Sequence, residues 1–258
     1  MADRKLIPGK FVWFELFTRD AKKAQAFYGD VLGWKVQAFP MEPRPYEMIF
    51  ATDSMIGGYA APTGDVAGDH WLSYVSVEDV DATLRLAEAA GGRVVGAPRD
   101  VPRMGRRAVI ADPQGAEIGV FTSARGDDPD AISPDGRWFW NELHTTDVVG
   151  ALAFYKRVVG LRGRALDMGP GGTYHVLSRD GVDRGGVTSH GTDCQAPHWL
   201  PYVKVGDPDA TLARARKLGG AVRFGPEDIP GVGRFGVLTD PAGAALAAMN
   251  PLPQMVNV

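Results

Sequence analysis

WFELFTRDAKKAQAFYGDVLGW, Trp13 to Trp34, returns later in the chain as WNELHTTDVVGALAFYKRVVGL, Trp140 to Leu161. Superposing Trp13 on Trp140, 127 positions on (140 − 13), also pairs Glu15 with Glu142, Asp20 with Asp147, Phe27 and Tyr28 with Phe154 and Tyr155, and Gly33 with Gly160. Working outward, HWLSYVSVEDVDATL from His70 recurs as HWLPYVKVGDPDATL from His198, 128 positions on (198 − 70). Asp112, Pro113 and Gly115 recur as Asp240, Pro241 and Gly243 at that same spacing, so one residue has been gained between Gly33 and Gly57. Solenoid repeats run to roughly 20–50 residues. A repeat this long is instead a duplicated domain, and the chain divides into residues 1–122, a linker at 123–136 and residues 137–258.

With 258 residues and 45% hydrophobic content, each module has enough apolar sequence for a core of its own. A net charge of −3 gives no basic footprint for nucleic acid. The apolar runs are too short to span a bilayer. The opening MADRKLIPGK lacks the apolar stretch of a signal peptide. Cys194 stands alone, which allows no internal disulfide and suits a reducing compartment. A cytoplasmic protein with no membrane or nucleic-acid partner is the expectation.

Phe11 to Thr18 has the aromatic and apolar content of a strand. Alternation puts Trp13, Glu15 and Phe17 on one face and Val12, Phe14 and Leu16 on the other. The all-apolar face is expected under a helix, which leaves Trp13 and Glu15 lining something more open. The helix follows at once, with Asp20 as N-cap, an apolar stripe of Ala24, Phe27, Tyr28, Val31 and Leu32, and Gly33 as the stop. Strands at 34–39, 46–51 and 55–61 complete one βαβββ unit, and His70 to Phe121 repeats the order. Each module is therefore two βαβββ units, and the linker SARGDDPDAISPDG loses the apolar pattern.

The strand leading into RDAKKAQAFYGDVLGW and TDVVGALAFYKRVVGL, with the endings DPQGAEIGVF and DPAGAALAAM, resembles the vicinal oxygen chelate superfamily. That family includes glyoxalase I, bleomycin-resistance proteins and extradiol dioxygenases. The resemblance implies an α+β fold in which two βαβββ units form a curled eight-stranded mixed sheet around a cavity, helices outside. In metal-dependent members, four strands each supply one His or Glu ligand. Counting from the motifs places three of these positions at Trp13, Leu72 and Gly119, and at Trp140, Leu200 and Ala247 in the second copy. Indole, alkyl and hydrogen cannot replace imidazole, carboxylate or thiolate. The fourth strand, at 55–61, has no acid or His, and its counterpart offers only Asp183. Both inherited metal sites look erased, so no cofactor is expected, with a divalent metal at a displaced site as the alternative.

If the old ligand positions face each other across antiparallel strands, Glu15 meets His70, and Glu142 meets His198, or the pairs form between modules. Glu117 points inward by parity, as does His144 beside Glu142. Three readings stand open for the Glu and His pairs. They form a buried structural bond, or the Glu acts as base or ligand anchor with the His beside it, or a relocated metal site uses Glu15, a His and Glu117. Trp13 and Tyr74, with Trp140 and Tyr202, give each cavity an aromatic lining suited to a flat organic ligand. Each aromatic alone is also explained by core packing.

Arg106 and Arg234 are solvated strand-end charges or grips for an anion. Gly57, Gly58, Gly185 and Gly186 fit a bulge or tight strand approach better than a phosphate loop. His175 and His190 have the setting of surface residues, and Cys194 has no activating base nearby. The expected protein binds a small planar molecule without metal. Whether it also catalyses is open; the alternative is a metal-dependent lyase, isomerase or dioxygenase. A chain that already carries two modules can act as a monomer, and a homodimer is the other possibility.

Overall fold

The computed structural model describes residues 5–41, 45–62, 68–189 and 196–253. His190 and Cys194 lie outside these residues. The first module runs β1 (Phe11–Phe17), α1 (Ala21–Leu32), β2 (Lys35–Phe39), β3 (Tyr46–Ala51) and β4 (Ser54–Ala60), then β5 (His70–Ser76), α2 (Val80–Ala89), β6 (Arg93–Val101), β7 (Gly105–Ala111) and β8 (Glu117–Ser123). The second runs β9 (Trp138–His144), α3 (Val148–Val158), β10 (Arg162–Asp167), β11 (Thr173–Arg179), β12 (Val182–Thr188), β13 (His198–Lys204), α4 (Pro208–Lys217), β14 (Ala221–Ile229), β15 (Gly233–Thr239) and β16 (Ala245–Pro251). Among the described residues no helix is long and apolar enough to cross a membrane.

Each module forms one eight-stranded mixed sheet, ordered β2-β3-β4-β1-β5-β8-β7-β6 in the first and β10-β11-β12-β9-β13-β16-β15-β14 in the second. The units therefore pair within a module. β1 and β5 are antiparallel at the centre, each flanked by a parallel neighbour.

Local chemistry sets the helices as the sequence suggests. Asp20 accepts from the Lys23 amide at 3.0 Å, and Gly33 takes φ 72 with its N–H on Gly29 O. Asp147 caps α3 the same way on Gly150 N. Such caps stabilise a helix by about 1 kcal/mol each.

The cores differ from the expectation of one per module. One gathers Phe14, Leu16, Phe27, Tyr28 and Trp34 of the first module with Val203, Leu212, Leu238 and Leu246 of the second. The other joins Val75, Leu84, Ile110 and Ile118 to Leu143, Phe154, Leu161 and Trp199. The helix-side face of each sheet is thus buried against the other module, because neither sheet alone covers its apolar face. Tyr28 Oη donates to Asp240 Oδ2 at 3.3 Å and accepts from Trp71 Nε1 at 3.0 Å. The repeat of this bond, Tyr155 to Asp112 at 3.1 Å with Trp199 behind it at 2.9 Å, closes the opposite core.

A third cluster belongs to the second module alone. Leu200, Tyr202, Val237, Ala247 and Met249 pack with Phe224 and Phe235 on the face turned away from the helices. The first module has Gly96 and Arg107 where the second has these two phenylalanines.

Candidate functional site

On the open face of the first sheet, Glu15 is 1% exposed and fully engaged. Arg107 Nη1 lies 2.8 and 2.7 Å from its two oxygens, Tyr46 Oη donates at 2.8 Å and Tyr74 Oη at 2.9 Å. Trp13 Nε1 donates in turn to Tyr46 Oη at 3.0 Å. Burial pushes the Tyr46 and Tyr74 phenols up, and the Glu15 carboxylate adds to it, so both remain donors. Burial alone would lower the Arg107 guanidinium, but Glu15 beside it raises it above its ordinary value. Arg107 also lies over the Tyr74 ring at 5.3 Å.

Glu142 repeats the arrangement with an imidazole in place of the guanidinium. Tyr202 Oη donates at 3.0 Å, Tyr174 is its second phenol, and Trp140 Nε1 donates to Tyr174 Oη at 2.9 Å. His144 Nε2 stands 2.9 Å from Glu142 Oε1, an ion-pair distance without a well-directed N–H. Burial pushes the Glu142 carboxyl upward, but His144, Tyr174 and Tyr202 together hold it below its ordinary value. His144 Nδ1 is buried with no partner among the described residues. The nitrogen partner is exchanged between copies: Arg107 and Phe17 in the first become Phe235 and His144 in the second.

Neither expected Glu and His pair forms. The strands register Trp13 with Tyr74, Glu15 with Leu72 and Phe17 with His70, two residues from the alignment inferred above. A two-residue slide keeps every side chain on its face but changes its partner. His70 therefore stacks on Phe17 at 5.3 Å, and His198 stacks on His144 at 4.9 Å, with Leu200 opposite Glu142. Burial lowers His198 below the ordinary histidine value, and His144 lowers it further. Glu117 is exposed at the start of β8 and is not among the groups that contact Glu15. Tyr74 and Tyr202, expected to line cavities, are buried at 1% and 4%.

Arg106 is held by Asp81 and Asp100, and Arg234 by Asp209 and Asp228, which makes them ion-paired strand ends. His175 is half-buried on β11. Gly58 and Gly186 are close approaches, for a Cβ at either would collide with the Tyr46 or Tyr174 hydroxyl. A Cβ at Gly119 would collide with the Tyr74 ring. The room that metal ligands from β4 and β8 would occupy is thus filled by phenols. Among the described residues no group of three His, Cys, Asp or Glu gathers closely enough to hold a metal. The donor set does not fit the divalent metal that the fold implies.

Tyr46 and Tyr174 were legible as a repeat at 128 positions (174 − 46). Arg107, present in one copy only, carried no such signal.

Trp13 and Trp140 both line one cleft of about 1250 Å³. Phe39, Met48, Met104, Phe121 and Phe139 share its wall. Part of its rim is the linker, pinned by Asp130, which takes Lys10 at 3.0 Å and Arg184 at 2.6 and 2.9 Å. Glu15 and Glu142 are not among the residues lining this cleft; Glu15 reaches Trp13 through the Tyr46 hydroxyl.

A sequence profile described as the glyoxalase/bleomycin resistance protein/dioxygenase superfamily matches residues 10–120. CFP32 of Mycobacterium tuberculosis, provisionally named a glyoxylase, is 35% identical over 247 residues, covering 94% of this chain and 95% of its own. The anthracycline biosynthesis protein DnrV of Streptomyces peucetius is 30% identical over 266 residues, covering 95% and 94%. Among solved structures, the Mn(II)-bound glyoxalase of Novosphingobium aromaticivorans superposes with TM-score 0.65 at 16% identity, covering 97% of this chain and 90% of that one. The 2,3-dioxygenase LapB of Pseudomonas sp. KL28 gives 0.63 at 14% identity, covering 98% and 96%.

Proposed function

Because the chain belongs to the glyoxalase/bleomycin resistance protein/dioxygenase superfamily, and its repeated tryptophans open onto one cleft, we propose that it binds a flat aromatic small molecule there without a metal. The observation that carries this reading is the cleft itself, with Trp13, Trp140, Phe39, Phe121 and Phe139 on its walls and methionines between them. Ligand sites are concave, mostly apolar and about 300–1,000 Å³. Flat rings gain most from aromatic walls through offset stacking, and methionine adapts to their outline. The anthracyclines in the name of a relative are fused-ring aromatics of this kind.

The buried glutamates serve this reading as anchors. Glu15 spends its lone pairs on Arg107, Tyr46 and Tyr74, which leaves none free to accept a proton from a ligand. Through Tyr46 it also fixes Trp13 in its orientation. A metal-dependent lyase, isomerase or dioxygenase is the weaker reading, since the positions that would ligate are indole, alkyl, hydrogen or blocked by phenol.

Metal-free protein titrated with anthraquinone and naphthoquinone derivatives should show saturable quenching of its tryptophan fluorescence. Absence of saturable quenching, together with a large rise in melting temperature on adding Mn, Ni, Zn or Fe, would favour the metal-dependent reading instead.

A further inference from the structure

We infer that the ligand is a flat aromatic acid, and that Arg137 receives its carboxylate. The inference rests on the flat-ligand reading above and adds the chemistry of one end of the molecule.

Three cations that are buried or half-buried line the cleft: Lys10, Arg137 and Arg184. Lys10 and Arg137 hold the same position in the two copies, immediately before β1 and β9, 127 residues apart (137 − 10). Their surroundings differ. Lys10 Nζ binds Asp130 at 3.0 Å and the carbonyls of Asp128 and Pro129 at 2.8 and 3.1 Å. Arg184 is clamped by both oxygens of Asp130. The Arg137 guanidinium makes no ion pair or hydrogen bond among the described residues, and its Nε is buried without an acceptor.

Three of the four aspartates lining the cleft have partners elsewhere. Asp127 accepts from Ile7 N and Ser76 Oγ, Asp130 holds two cations, and Asp183 faces Arg164. A half-buried guanidinium left unpaired costs free energy that an anion would return. Its planar fork matches a carboxylate in bidentate fashion. Arg103 and Arg125, exposed on the same cleft and without ion pairs among the described residues, bring its basic lining residues to five against four aspartates. An aromatic body between tryptophans with an acidic group on Arg137 satisfies both surfaces at once.

The test compares anthraquinone-2-carboxylate with the neutral anthraquinone-2-carboxamide at pH 7, read by tryptophan quenching. The chain should bind the carboxylate about tenfold more tightly, the gain of a charge-assisted bond. Arg137→Gln should remove that preference while leaving carboxamide affinity within twofold, and Arg137→Lys should retain part of it. Equal binding of both probes by the unmodified chain overturns the assignment to Arg137 and leaves the flat-ligand reading standing. So does a loss in Arg137→Gln that falls equally on both probes, because that marks a structural role. If neither probe binds, the flat-ligand reading falls and this inference with it.

Discussion

Arg107 Nη1 stands 2.8 and 2.7 Å from the two oxygens of Glu15, although 92 residues separate them in sequence. The second module keeps the glutamate and moves its nitrogen partner: His144 takes the place of Phe17, and Phe235 that of Arg107. A buried carboxylate needs compensation; in the first sheet the Arg107 guanidinium on β7 supplies a counter-charge, and in the second the nitrogen partner comes from β9. Removing Arg107 should therefore strand Glu15. Arg107→Met is expected to cost about 3–5 kcal/mol, and adding Glu15→Gln should recover most of it. Urea denaturation of the single and double variants measures this, and a single-variant cost below about 1 kcal/mol would count against the counter-charge argument.

At the equivalent position the second module carries a packing residue, so the same experiment should give a different answer. Phe235 sits between Phe224 at 5.2 Å and Tyr202 at 6.2 Å, half-buried rather than sealed. Phe235→Ala should cost about 2 kcal/mol, less than the 3–5 kcal/mol of a fully buried phenylalanine. No change in Glu142 should rescue it, and rescue by Glu142→Gln would show that the two modules use this position alike.

His198 gives the protein a pH dependence of definite sign. Its folded value is lowered, by burial first and by His144 second, from an ordinary 6.5. As pH falls through 6.5 the unfolded chain takes a proton that the folded chain resists, so stability should fall on the acid side of that value. His198→Gln should flatten the melting temperature between pH 7 and pH 5, roughly the range of the unperturbed histidine titration. An unchanged slope would assign the effect to another group.

Tyr28→Phe and Tyr155→Phe each remove a hydroxyl that joins the two modules. Each leaves an indole N–H and an aspartate oxygen without that partner inside a core. A loss of about 1–3 kcal/mol per site is expected. Because the two cores are separate, the losses should add within about 0.5 kcal/mol in the double variant. Strong non-additivity by calorimetry would mean the cores are coupled.

The two-module organisation was legible because duplication prints the same motif twice. Asp20 and Gly33 announce the ends of α1, and alternation along β1 sorts Phe14 from Glu15. The strand register was not legible, since a slide of two residues preserves every face and therefore every pattern that the sequence displays. That slide separates Glu15 from His70 and gives it phenols instead. The shared cores were hidden for a related reason: an apolar stripe shows that a face is buried without showing which module buries it. Arg107 carries no repeat signal because it occurs once, and the repeated Arg106 beside it forms an ordinary ion pair.

One cleft, walled by both tryptophans of the repeat, is proposed to hold one flat aromatic molecule. Isothermal titration of the metal-free protein with anthraquinone-2-carboxylate tests it most directly when run beside Trp13→Ala and Trp140→Ala. Saturable binding of one molecule per chain is expected, weakened about fivefold to 150-fold by each substitution, the equivalent of roughly 1–3 kcal/mol for an aromatic stacking contact. Binding at full strength in both variants, or no saturable binding to the unmodified chain, would contradict it.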